Sequence, residues 1–149
     1  MITSKDCFAK YGDPSANERR FMIVWDVPTA LEHGAIPKRV YCNKDLVPLL
    51  EKAFKNLIDT GHISELKVWS GCFNIRNKRG ARSLSLHSWG IAIDMNPSDN
   101  QFKKTRAQMI AAGKTPFTDG FVKCFKDAGF DWGGDWRTPD LMHFQLAKI

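Results

Sequence analysis

The 149-residue sequence lacks several patterns that would place it in a specialised class of protein. It has no run near the ~20 consecutive apolar residues that a membrane-spanning helix needs. Its first residues, Met1–Cys7, lack the apolar segment of a secretory signal, so we expect a protein kept in the cytoplasm of the producing cell. It also lacks internal repeats and linkers, which favours one domain over residues 1–149.

Paired cysteines are also absent. The sequence has four cysteines, which are widely separated: Cys7, Cys42, Cys72 and Cys124. Zinc ribbons and dithiol redox motifs need closely spaced pairs, so both classes are disfavoured. The cysteines are interpreted as buried, inert thiols, with a disulfide as the alternative, because reduced thiols are the rule in cytoplasm.

Basic residues are in excess, with 22 Lys and Arg against 16 Asp and Glu and a net charge of +6. A basic surface favours a polyanionic partner, either nucleic acid or an anionic cell envelope. The densest basic cluster, residues 76–82, has no interleaved aromatic residues and matches no known nucleic-acid reader. We therefore expect no nucleic-acid partner and interpret this cluster as a solvated loop.

Apolar periodicity and turn residues predict an α+β fold. Strands are predicted at Phe21–Trp25, Lys38–Cys42, Leu66–Ser70, Ile91–Met95 and His143–Ala147. Helices are predicted from Leu46 to Ile58, capped by Asn43 or Asp45 and ended by Gly61, and over Gly120–Ala128, capped by Thr118 or Asp119. The segment up to Pro14 and the glycine-rich segment Trp132–Trp136 are predicted loops. The expected architecture is a small, mostly antiparallel sheet with helices packed on it.

The strand Ile91–Met95 has faces of different character. With a period of two, Ile91, Ile93 and Met95 face one side, and the small residues Gly90 and Ala92 share the other side with Asp94. Small neighbours leave room beside Asp94 for a metal ion and a substrate.

His87, Asp94 and His143 suggest a catalytic zinc site, because two histidines and one carboxylate leave a fourth position open for water. Asp140, three residues before His143, is placed to act as a general base. The separation of seven between His87 and Asp94 would put them on opposite faces of a flat strand. The site therefore needs a turn at residues 88–90, which Gly90 permits. The alternative is that these histidines are ordinary core or surface residues, the interpretation given to His33 and His62.

The motif Ser85-x-His87-x-x-Gly90-x-Ala92-x-Asp94, followed by Asp140-x-x-His143, resembles the zinc peptidoglycan peptidases of the D-alanyl-D-alanine carboxypeptidase (VanY-like) family. That family includes phage endolysins that cleave the L-alanyl-D-glutamate bond. The resemblance extends from about Trp69 to Gln145. It implies a zinc site on the sheet of an α+β fold of the D-Ala-D-Ala peptidase and hedgehog-like type.

The resemblance implies that His87, Asp94 and His143 bind Zn²⁺ and that Asp140 is the general base. Many family members have Glu at the position of Asp140, so this chain reaches the reacting water with one methylene fewer. Asp131 and Asp135 are alternative bases, but neither has the family's offset from His143.

The family also uses an upstream arginine to bind substrate and stabilise the developing oxyanion. Arg76 is the best match, with Arg79 and Arg82 as alternatives, and Ser85 is expected to hydrogen-bond the substrate or a ligand. Three tryptophans are open to two interpretations, walls of the substrate groove or core: Trp89, Trp132 and Trp136.

These features together predict a zinc-dependent hydrolase of the peptidoglycan stem peptide. The leading expectation is a monomeric L-alanyl-D-glutamate endopeptidase that serves as a phage or prophage endolysin and reaches the wall after release. Its basic surface would hold the anionic envelope. The alternatives are a D-alanyl-D-alanine carboxypeptidase and an inactive, zinc-stabilised wall-binding module.

Overall fold

The computed structural model describes all residues, Met1–Ile149, and confirms the α+β class. The helices are α1 (Ser4–Tyr11), α2 (Pro14–Phe21), α3 (Val47–Thr60), α4 (Arg106–Ala111) and α5 (Asp119–Ala128). The strands are β1 (Met22–Asp26), β2 (Arg39–Asn43), β3 (Trp69–Gly71), β4 (Ala92–Met95), β5 (Phe130–Trp132) and β6 (His143–Leu146). No helix combines the length and apolar character that crossing a membrane requires.

The strands form two antiparallel sheets, which confirms the antiparallel pairing but not the single sheet that the sequence predicts. β1 pairs with β2, and the other four strands lie in the order β3–β4–β6–β5. The adjacent central strands β4 and β6 come from the two halves of the sequence motif. The sheet therefore brings together residues about fifty positions apart in the chain.

Helices α3 and α5 cover one face of the four-stranded sheet. The apolar side of α5 carries Phe121 and Phe125, which pack on Phe144 of β6 with ring centroids 6.1 and 4.7 Å away. Thr118 caps α5 and Gly129 ends it, as the sequence predicts. The buried apolar cluster runs from Ile2 to Leu146, so the site described below rests on a continuous core.

The N-terminal segment differs from its prediction as a loop, because it forms α1 and α2. Thr3 and Asp6 make a reciprocal capping box at the start of α1, and Asp13 caps α2. These polar caps stabilise helices that have little apolar periodicity. Both helices pack against the turn at residues 86–89, where the Trp89 indole N–H donates to the Gly12 carbonyl at 2.9 Å.

Two smaller predictions are also wrong, and one helix has no counterpart among the predicted elements. Strand β3 begins at Trp69 rather than Leu66, because the amides of residues 67 and 68 donate to the side chain of Asn96. Neither Asn43 nor Asp45 caps α3; the Asn43 side chain instead forms a turn with the Asp45 amide. Helix α4 was not predicted, since it is only six residues long.

All four cysteines are buried and free, which confirms their interpretation as thiols. Burial raises the pKa of Cys42 and Cys7 to about 12, so these thiols are unreactive at neutral pH.

Candidate metal centre

A short turn brings His87 to the sheet. Residues Leu86–Trp89 form a 3₁₀ turn, at whose start the Ser85 hydroxyl accepts from the His87 amide. Gly90 ends the turn in the left-handed conformation, with φ of 66°. This is the turn that the odd spacing between His87 and Asp94 requires.

The atoms around Gly90 leave no space for a side chain. A Cβ at this position would lie 2.5 Å from Met22 Sδ and 2.8 Å from the Asn43 amide nitrogen. Gly90→Ala is therefore expected to lower the free energy of unfolding by about 3 kcal/mol, since left-handed strain adds to overpacking. Gly80→Ala is the matched control, because Gly80 has a similar φ of 71° but open space around it. Chemical denaturation of both variants measures the difference, and equal losses would contradict this account of Gly90.

Asp94 and His143 come together through strand pairing. They are register partners on the antiparallel strands β4 and β6. Ala92 occupies the same face of β4 as Asp94, and the apolar residues of both strands point to the helices on the other face. The sequence prediction of this alternation is confirmed by the register, although Ala92 itself is buried and does not line the cavity.

The three side chains form one compact cluster. His87 Nε2 lies 3.1 Å from Asp94 Oδ2, and His143 Nδ1 lies 3.4 Å from Asp94 Oδ1. The ligand atoms all lie within 4.8 Å of one another. Tetrahedral zinc with bonds near 2.0–2.1 Å to nitrogen and oxygen separates its ligand atoms by roughly 3.3 Å. The cluster thus has the size that the ion requires.

Hydrogen bonds fix which nitrogen of each histidine faces the cluster. His87 Nδ1 lies 2.8 Å from the Cys72 carbonyl oxygen and donates to it, so Nε2 of the neutral ring carries a lone pair. His143 Nε2 lies 3.0 Å from Gln145 Oε1 and donates to it, leaving the lone pair on Nδ1. Outer hydrogen bonds of this kind orient the histidine ligands of metal sites.

The cluster contains buried polar atoms that the protein itself does not satisfy. His87 Nε2 and Asp94 Oδ1 are buried and accept no hydrogen bond. Lone pairs of buried nitrogen and carboxylate atoms at such short distances repel one another unless a cation lies between them. The donor set therefore fits a divalent metal ion of the zinc type.

The electrostatics of Asp94 agree with this interpretation. Burial works to raise the pKa of Asp94. Hydrogen bonds and positive charge from His143 and His87 outweigh burial when these rings are protonated, and they hold the pKa well below its ordinary value; a metal ion would supply the positive charge in their place. Asp94 is therefore ionised at any physiological pH. An ionised carboxylate supplies the one negative charge of the ligand set.

Asp140 lies beside the cluster in a different environment. Its Oδ1 is buried without a hydrogen-bond partner, and burial raises its pKa above the ordinary value. The backbone fixes the residue, since its amide donates to Gly133 and its carbonyl accepts from His143. A free carboxylate oxygen with a raised pKa suits a general base.

The alternative bases are placed elsewhere. Asp135 pairs with Lys126 at 2.6 Å, and neither Asp135 nor Asp131 lines the cavity at the cluster.

A cavity of about 440 Å³ opens in front of the cluster and is lined by His87, Asp94, Asp140 and His143. Four cationic side chains also line it: Arg76, Lys78, Arg79 and Lys103. Only two carboxylates, Asp94 and Asp140, offset them. This excess of positive charge in the lining favours an anionic ligand.

The structure separates the three candidate arginines. Arg76 and Arg79 line the cavity, whereas Arg82 is exposed and does not. Arg79 lies over the ring of Phe102 at 5.0 Å, and Phe102 pairs with Asp140 through an isolated bridge. Arg79 is thus tied to the segment of the predicted base, and it also works to lower the pKa of Asp140.

Ser85 also lines the cavity. Its hydroxyl oxygen accepts from the His87 amide and so holds the turn, while its O–H group can still donate, and the contact with substrate or a ligand stays a prediction. Of the tryptophans, only Trp136 lines the cavity; Trp89 and Trp132 are buried in the core. Trp132 belongs to β5, so its prediction as a loop residue is wrong, whereas its interpretation as a core residue is confirmed.

The two remaining histidines lie outside the cluster. His33 is exposed, as expected. His62 is half-buried rather than a simple surface residue, because its Nδ1 lies 2.6 Å from Glu65.

Sequence reasoning missed several cavity residues. Lys103 and Phe102 lie in an irregular segment that only the bridge to Asp140 brings to the site. Their sequence neighbourhood carries no recognisable signal. Strand parity puts Gln145 on the same face as His143, but its hydrogen bond to that ring has no signal in the sequence.

Comparison with protein families gives an independent result. Residues 79–146 match the family model described as D-alanyl-D-alanine carboxypeptidase. The match covers just under half of the chain. It includes His87, Asp94, Asp140 and His143, and it begins at Arg79, three residues after Arg76. It supports the resemblance seen in the motif and points to a peptidoglycan-acting metallopeptidase.

Proposed function

We propose that this protein is a zinc-dependent peptidase that cleaves the stem peptide of peptidoglycan, with the L-alanyl-D-glutamate bond as its target. The observation that carries the proposal is the convergence of His87, Asp94 and His143 beside the unpaired Asp140 oxygen. In the proposed role it serves as a phage or prophage endolysin, made in the cytoplasm and released to the wall.

His87 Nε2, Asp94 and His143 Nδ1 would hold the zinc ion. Zinc bound there lowers the pKa of water and polarises a peptide carbonyl. Asp140 Oδ1 accepts the proton of the attacking water and then delivers it to the nitrogen of the leaving amine. The backbone hydrogen bonds of Asp140 hold its main chain beside the cavity that the residue lines, which keeps the base close to the cluster.

Arg76 and Arg79 supply positive charge at the cavity wall. One arginine close to the scissile carbonyl stabilises negative charge that develops in the transition state, and such a contact raises kcat. We propose this role for Arg76, in line with the motif. The contact with the Phe102 ring holds the Arg79 side chain in place. We propose that Arg79 binds a carboxylate of the substrate.

The cationic lining also suits the substrate. In both candidate bonds the residue that supplies the leaving amine carries a free α-carboxylate, either terminal D-alanine or D-glutamate linked onward through its side chain. Four cations exceed the need of a single terminal carboxylate. This excess favours a longer anionic peptide and hence the endopeptidase, with the carboxypeptidase as second candidate.

Substitution of the three arginines distinguishes their roles. Arg76→Gln is expected to lower kcat by about 10²-fold, as removal of an oxyanion donor does elsewhere. Arg79→Gln is expected to act chiefly on KM, because it removes attraction for the substrate carboxylate. Arg82→Gln is the matched control and should leave both constants unchanged, since Arg82 is exposed and away from the cavity. Steady-state kinetics on a soluble stem peptide measure all three, and a large effect of Arg82→Gln would overturn this arrangement.

Mass spectrometry of digested peptidoglycan tests the function itself. A new N-terminal D-glutamate supports the endopeptidase, and released D-alanine establishes the carboxypeptidase instead. Absence of both products with zinc-loaded protein would overturn the peptidase and leave the wall-binding module.

A further inference from the structure

Gln145 is a polar side chain in the buried part of the four-stranded sheet. It is a polar residue only 1% exposed, and it lines the cavity two positions after His143 on the same face of β6. Its register partners are Ala92 on β4 and Asp131 on β5. Ala92 has no polar side-chain atom that could pair with the Gln145 amide group.

The oxygen of the Gln145 amide has a hydrogen-bond partner, whereas its nitrogen has none. Oε1 lies 3.0 Å from His143 Nε2, which donates to it. Nε2 carries two N–H donors and is buried without any partner. A buried donor left without a partner costs free energy, so its retention in a ligand cavity indicates a role for it.

We infer that Gln145 is a positioning residue for His143 through Oε1 and a hydrogen-bond donor to the bound peptide through its side-chain Nε2. The acceptor role keeps the proton on His143 Nε2 and the lone pair of Nδ1 directed at Asp94. The donor role places an N–H group beside the metal cluster, where a peptide carbonyl or carboxylate oxygen of the substrate can accept from it. The donor role rests on the function proposed above, whereas the acceptor role depends only on metal binding.

Two substitutions separate these roles. Gln145→Glu keeps an acceptor of the same length for His143 but removes both N–H donors. Gln145→Met keeps the approximate shape and removes acceptor and donors together. Gln108→Glu is the matched control, since Gln108 is exposed on α4 and Glu is equally suited to its capping box.

Zinc affinity, measured by competition with a chromophoric chelator, tests the acceptor role. Gln145→Met is expected to bind zinc 10- to 100-fold more weakly, the usual cost of losing an outer partner of a histidine ligand. Gln145→Glu and Gln108→Glu are expected to bind zinc at least as tightly as the wild type. Equal weakening by Glu and Met at position 145 would indicate mere packing and overturn the acceptor role, as would unchanged affinity in both.

Peptide binding tests the donor role. Calorimetry with a synthetic stem peptide that contains both candidate bonds is done on zinc-loaded Asp140→Asn protein, with and without Gln145→Glu. Loss of a hydrogen bond and the added negative charge are expected to weaken binding at least tenfold. Unchanged binding would overturn the donor role.

The outcomes also distinguish this inference from the proposed function. If zinc-loaded protein with Gln145 intact neither binds nor cleaves the peptide, the proposed function fails and the donor role fails with it. The acceptor role is decided by the zinc affinities alone.

Discussion

Asp140→Asn is expected to bind zinc with wild-type affinity and to lose 10²- to 10⁴-fold in kcat, the usual contribution of a general base. Asparagine has nearly the same shape, but its amide cannot accept a proton from water. The Asp140 side chain is no member of the metal cluster, so the loss should be confined to turnover. Kinetics on a stem peptide, with zinc content measured on the same sample, check both parts.

Two further variants make this result specific. Asp140→Glu is expected to retain more activity than Asp140→Asn, because the Glu carboxylate can still accept a proton and the Asn amide cannot. Asp135→Asn is the matched control and should be nearly neutral, since it loses only a surface ion pair with Lys126. Full activity of Asp140→Asn would show that another residue is the general base.

The pH dependence of kcat/KM follows from the same residue. Burial raises the pKa of Asp140 above 3.8, and the base must be unprotonated to act. Activity is therefore expected to rise with pH through the raised pKa and to be lost as pH falls below it. The charge of a bound metal ion works against this effect of burial, so the acidic limb is assigned by its loss in Asp140→Asn and not by its position. If the residual activity of Asp140→Asn falls at the same acidic pH as that of the wild type, the titrating group is not Asp140.

Asp94→Asn is expected to abolish zinc binding and all zinc-dependent turnover. Asp94 supplies the only charge of the ligand set and lies within 3.4 Å of both histidine nitrogens. Zinc at about 1,000 times its dissociation constant stabilises a folded protein by about 4 kcal/mol. For a chain of this length that corresponds to a rise in Tm of roughly 10 °C.

Thermal unfolding with and without zinc measures this effect. The wild type should show the rise, and Asp94→Asn should show little or none. Asp59→Asn is the matched control, because Asp59 only pairs with Lys55 on an exposed helix face. A full zinc-dependent rise in Asp94→Asn would show that the ion binds at another place.

The sequence predicts much of the site because strand parity is a strong constraint. Once Ile91–Met95 is a strand with one apolar face, Asp94 must lie on the other, and the same holds for His143 on β6. The turn at Gly90 is equally predictable, because only a reversal there brings His87 to that face. The structure agrees on all three placements.

Other features depend on contacts that no local pattern reveals. Lys103 reaches the cavity only because the segment around Phe102 pairs with Asp140, far along the chain. Helix α1 is held by polar caps and by packing on Trp89, so its apolar pattern is too weak to predict it. A single domain, a monomeric state and the cellular location stay predictions.

Anomalous diffraction from zinc-loaded crystals, recorded at the zinc absorption edge, tests the account most directly. We expect one strong peak about 2.0–2.2 Å from His87 Nε2, an Asp94 carboxylate oxygen and His143 Nδ1. The Asp140 carboxylate should lie outside bonding distance of that peak. An empty cluster, or a peak bound by other residues, would contradict the metal centre on which the proposed chemistry depends.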